Sequence, residues 1–124
     1  MPSWNLWFLL IVSLAATHVN EPGLVSWDPL YPRTGKDRGT IEVKGYVTLN
    51  KGWRVVGKTV KVEAFINGCV AHDFDVPIKN NVWGEGTIGG LVPTEVYVCT
   101  VAVLVTNGRQ TETLEFIGPE AIAR

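Results

Sequence analysis

The stretch GLVPTEVYVCTVAVLVTNG, residues 90–108, decides the fold. Pro93 and Thr94 break the chain before it, and Asn107-Gly108 is a hairpin signal after it. Successive side chains on a strand point to opposite faces. Tyr97, Cys99, Val101, Val103 and Val105 share one parity; Val96, Val98, Thr100, Ala102 and Leu104 share the other. Both parities are largely apolar, which predicts a central strand covered on both faces.

Working outward, the same grammar repeats. Residues 40–49 alternate cleanly, with Ile41, Val43, Gly45, Val47 and Leu49 on one side and Glu42, Lys44, Tyr46 and Thr48 on the other. Asn50-Lys51-Gly52 turns, residues 53–56 form a short connection or strand, and residues 58–66 alternate again up to the turn signal Asn67-Gly68. Residues 69–78 make a weaker strand ended by Pro77, as on a sheet edge. Residues 82–88 form a further short strand, and residues 110–117 the last, which Gly118-Pro119 is expected to stop. Before all of these, residues 24–27 read as a short first strand inside a loop-like region rich in proline and glycine. Six or seven short strands closed by turn residues predict an all-β, antiparallel β-sandwich.

Composition agrees. The 124 residues suit one domain. They include 18 valines and 11 threonines, stiff branched side chains suited to pleated strands. The net charge is −1, with both signs interspersed along the chain, which argues against a nucleic-acid partner. Residues 1–16 carry no charged side chain. Their apolar run is too short to span a bilayer but has the length of a signal-peptide core, although no Lys or Arg precedes it. The expected organisation is a signal peptide over 1–16, a linker or N-terminal arm over 17–39, the sandwich over 40–118 and a loose tail over 119–124. Export to the periplasm, the cell surface or the medium follows, with no membrane span in the mature protein.

Leu91-x-Pro93-x-x-x-Tyr97 resembles the segment before strand F of fibronectin type III domains, and Tyr97-Val98-Cys99 resembles the Tyr-x-Cys of immunoglobulin strand F. Gly45 to Leu49 is similar to a strand of transthyretin-like and carboxypeptidase-regulatory-like sandwiches. The resemblance implies an immunoglobulin-like sandwich of about seven strands. Tyr97 would act as a structural corner, its hydroxyl bonded back to the backbone near Leu91 and Pro93. The antibody-type disulfide is not carried over, because Cys69 and Cys99 stand only 30 residues apart. Trp83 lies between glycine-rich turns rather than on an obvious core strand.

In an exported chain, an even pair of cysteines is expected to oxidise, so Cys69 and Cys99 are candidates for a disulfide. The alternative is two reduced, buried thiols. His72-Asp73-Phe74-Asp75 is the one dense polar cluster. Strand alternation sets His72 against both aspartates, so it reads as a solvated edge rather than a catalytic or metal site. No nucleophile elbow, zinc or phosphate-loop motif occurs, and the only serines are Ser3, Ser13 and Ser26. No catalytic residue, metal or cofactor is expected. Tyr46, Phe65 and Trp53 are the candidate binding surface if they share an exposed face. The expected role is a non-catalytic interaction or assembly module with a protein partner. The alternatives are a glycan-binding module using those aromatics, or a structural protein of a virion or appendage.

Overall fold

The computed structural model describes residues 21–124; the expected signal peptide lies outside the described residues. Nine strands follow in order: β1 (Gly23–Trp27), β2 (Arg33–Thr34), β3 (Ile41–Leu49), β4 (Arg54–Val55), β5 (Thr59–Ile66), β6 (Cys69–Lys79), β7 (Val82–Ile88), β8 (Val96–Thr106) and β9 (Thr111–Ile122). All pairings are antiparallel, and no helix occurs among the described residues. The all-β, antiparallel expectation therefore holds: the short first strand is β1, the stretch 53–56 holds β4, and β2 is additional.

The strands form one continuous hydrogen-bonded sheet. One half holds β1, β2, β3 and β7; the other holds β4, β5, β6, β8 and β9. The halves are continuous only where β6 meets β7, at Ile78↔Trp83 and Lys79↔Val82. Asn80 and Asn81 both take positive φ there, as do Asn67 and Gly68 in the β5–β6 turn, the geometry of primed hairpin turns. β8 is central: β9 pairs along one edge, and β5 and β4 share the other.

The core fills the space between the halves. Val25, Trp27, Ile41, Val43, Val47, Trp83 and Ile88 meet Val60, Val62, Ala64, Val76 and the inward residues of β8. Trp83, on the expected short strand, is fully buried despite its glycine-rich flanks, and its ring meets Trp27 edge-on with centroids 4.7 Å apart. Gly45 makes room for it, because a Cβ there would stand 2.2 Å from the Trp83 ring.

Both expected domain boundaries move outward. β1 pairs along β3 from Gly23↔Leu49 to Trp27↔Gly45, so part of the supposed arm belongs to the sheet. At the other end β9 runs past Gly118-Pro119, because these two residues stand opposite the single Cys99 and form a bulge rather than a stop. The supposed tail is stitched in: Ala121 and Ala123 are buried, Thr94 N donates to Ala123 O at 3.0 Å, and Gly39 N donates to Arg124 O at 2.9 Å.

Candidate functional site

The inward parity of β8 is buried as expected, but its outward parity has no cover. Val96 and Leu104 are each 43% exposed, and Val98, Thr100 and Ala102 are half-buried. Cross-strand neighbours complete the surface. Phe65 of β5 lies opposite Val98, with Val70 of β6 beyond it. On the other side Ile117 of β9 faces Thr100, and Ile122 faces Val96. Ile117 is 67% exposed, among the most exposed large apolar side chains described. Phe65, Val96, Val98, Thr100 and Ile117, with Asn67, Gly68 and Glu120, line an open groove of about 550 Å³. The expectation of two covered faces is corrected: an apolar parity on a central strand is the mark of a covered face, and here it lies open to solvent.

The same outward face turns acidic beyond the groove. Glu63 and Lys61 follow Phe65 on β5, Asp73 and Asp75 lie opposite them on β6, and Glu115 and Glu120 lie on β9. Five carboxylates thus share this face with Lys61, while Lys79 and Arg54 stand at its far end on β6 and β4. Lys61 Nζ sits between Asp73 at 3.5 Å and Asp75 at 3.6 Å. These pairs are exposed, worth about 0–1 kcal/mol each. They occupy the two aspartates that the sequence set on one face, while His72 turns inward and stacks on Phe74. No group of three or more potential metal ligands gathers among the described residues.

Tyr46, Trp53 and Phe65 do not form one platform. Tyr46 is 42% exposed on the outside of β3, in the opposite half of the sheet from Phe65. Trp53 folds from the β3–β4 turn against the core. Only Phe65 belongs to the groove. The alternation that set Tyr46 and Phe65 outward was right, but their strands lie on opposite halves.

The disulfide is also corrected. Both thiols are free, Cys69 exposed and Cys99 buried. β5 runs between their strands, pairing Ala64 with His72 on one side and Cys99 on the other. Two strand spacings separate β6 from β8 by about 9–10 Å. Cys69 lies further along again, beyond the roughly 7 Å Cα separation a disulfide tolerates. Burial pushes the Cys99 thiol up to about 11.

Tyr97 is buried at the start of β8, and its hydroxyl accepts a hydrogen bond from Val92 N at 2.9 Å. Leu91 is buried beside it, and Pro93 is half-buried in the bend between them. This contact fixes the approach to β8, and so the end of the groove at Val96.

No family model and no curated protein matches the chain. Among solved structures it is similar to an engineered protein whose crystal structure came from the Northeast Structural Genomics Consortium. The TM-score is 0.52, with 22% identity, over 84% of this chain and 20% of that one. The chain thus spans about one fifth of that protein's length. At this identity the likeness concerns the fold alone.

Proposed function

We propose that this protein is a non-catalytic, exported binding module of the immunoglobulin-like sandwich type, and that it engages a protein partner through the outward face of β8. The observation that carries this reading is the uncovered apolar groove of Phe65, Val96, Val98 and Ile117 on an otherwise well-sorted central strand. Large exposed apolar patches rimmed by polar residues favour interaction. The acidic surround selects the partner: an apolar segment flanked by Lys or Arg complements both features. The strand pattern and the Tyr97 hydrogen bond support the sandwich type, and the apolar run of residues 1–16 supports export.

The test is selection of peptides from a displayed library by the protein, followed by titration against the Val98→Lys and Ile117→Lys variants. Apolar peptides with basic flanks should be enriched and should bind each variant at least ten-fold more weakly, with thermal stability unchanged. Enrichment of peptides that bind the variants as well as the parent would move the site elsewhere.

A further inference from the structure

β6 and β7 leave their shared turn as a hairpin and part after Ile78↔Trp83. From there back to Cys69, β6 keeps β5 on one side and has no strand among the described residues on the other. Ile78 N donates to Lys58 O at 2.9 Å, toward the β5 side. Backbone groups alternate along an antiparallel strand, and no bulge interrupts the pairing from Thr59↔Pro77 to Glu63↔Asp73. Asp73, Asp75 and Pro77 therefore turn their backbone groups the other way, into the opening. All three present a carbonyl there, and the two aspartates present an N–H as well. No strand or loop among the described residues meets them. Such a row of free donors and acceptors is a template for one further strand.

A second observation lies across the opening. Gly86 of β7 pairs with Val43, so a side chain at position 86 would point inward as that of Val43 does. Its φ lies outside the left-handed region, and a Cβ there would meet nothing within 4 Å. Neither backbone nor packing requires a glycine. Gly84 differs: its φ is 92°, and a Cβ there would stand 2.3 Å from Val43 O. The missing side chain of Gly86 instead keeps open the cleft of about 130 Å³ that Phe74 and Val76 wall on one side and Val43 and Ile88 on the other. A glycine inside a strand often marks the close approach of another backbone. On the outer side of the same edge stand Asp73 and Asp75, their side chains 63% and 66% exposed, with Lys61 shared between them.

We propose that the β6 edge takes up an extended segment of a partner protein as an added strand, with an apolar residue of that segment in the cleft before Gly86 and Lys or Arg on either side of it. Strand alternation sets this pattern. The residue opposite Phe74 faces inward and enters the cleft, and its two neighbours face outward opposite Asp73 and Asp75. Main-chain hydrogen bonds supply the affinity, and the cleft and the carboxylates supply the selection. A second copy of this chain fits less well, because β6 against β6 sets these carboxylates against their own kind. The site is separate from the β8 groove and does not depend on it.

The probe is the peptide Thr-Val-Lys-Leu-Lys-Val-Thr, blocked at both ends and titrated into the full chain under NMR observation. It should shift the amide resonances of Phe74 and Gly86, slow amide exchange at Asp73 and Asp75, and leave Val98 and Ile117 unperturbed. The same peptide with Glu for both Lys should bind at least about ten-fold more weakly. Gly86→Val, which fills the cleft, should weaken the Lys peptide by about ten-fold or more with thermal stability unchanged. Asp73→Lys/Asp75→Lys should reverse the preference between the two peptides, and Val98→Lys should bind as the parent does. No binding at about 1 mM peptide, equal binding of the Glu peptide, full binding by Gly86→Val, or shifts centred on Val98 and Ile117 would each overturn the proposal. So would self-association in sedimentation that protects Asp73 and Asp75 without any peptide, which would give the edge to a second copy.

Discussion

The two halves of the sheet approach each other along two seams, and the seams are built differently. On one side Trp27 Nε1 donates to Phe116 O at 3.3 Å, and Gly118 packs so closely that a Cβ there would stand 3.0 Å from both Trp27 and Pro32. The C-terminal residues then stitch β9 to the loop before β3. On the other side β6 and β7 part after two residue pairs, leaving the β6 edge from Cys69 to Pro77 without a strand partner. A small cleft of about 130 Å³ between Phe74, Val76 and Ile88 marks that opening. The lesson is a division of labour. The closed seam uses large rings and glycines in contact, where any change of volume is felt. The open seam uses charges and a proline, devices that keep a bare edge from recruiting a second copy of itself.

The contrast sharpens under mutation. Trp83→Ala removes the ring that links β7 to Trp27, and should destabilise by about 3–5 kcal/mol in urea titration. Gly45→Val, which drives a side chain into that ring, should prevent folding at 37 °C. If both were tolerated, the closed seam would not be what holds the halves together.

A second prediction sets the buried thiol against the exposed one. Cys69, on the open edge, should react with a maleimide at neutral pH, and Cys99 only after unfolding. Burial raises the folded-state pKa of Cys99 from 9.0 to about 11, so the unfolded chain releases this proton first. Its contribution to stability is full below pH 9 and is lost as the pH climbs through 11. Cys99→Ala should flatten that part of the pH profile; an unchanged slope would assign it to other groups.

Tyr97→Phe strands the Val92 N–H and should cost about 0.5–1.5 kcal/mol by thermal melting. Cys99 and Val101 labelling or chemical shifts should stay as in the parent, since only the approach to β8 loosens. The smallest effects belong to the open edge. Val70→Lys or Asp73→Ala should change stability by no more than about 0.5 kcal/mol. A larger loss would mean that β6 is supported along its outer edge after all.

The alternation on β3, β5 and β8 made most of this architecture readable, because a one-residue slip would invert every buried side chain. The Asn-Gly turns were readable for the same local reason. What escaped was decided by contacts between distant segments. Gly118-Pro119 looks like a terminator until Cys99 stands opposite it as a bulge. Trp83, on a short strand between glycine-rich turns, does not look like a core residue until Gly45 opens space for its ring. The groove was signalled by the double apolar parity of β8, but the sequence alone assigned that signal to burial. Tyr46 and Phe65 could be placed outward but not on which half, since strand order is set by long-range pairing.

The placement of the first and last strands has a mechanical consequence. β1 begins at the end that holds the β3–β4 turn, where Gly23 pairs with Leu49, and β9 finishes at the other end, where Ile122 pairs with Val96. A pull between these points runs parallel to both strands and perpendicular to their hydrogen bonds. The rungs of each ladder are then loaded together rather than peeled one by one, so the domain is shaped to resist tension along its length.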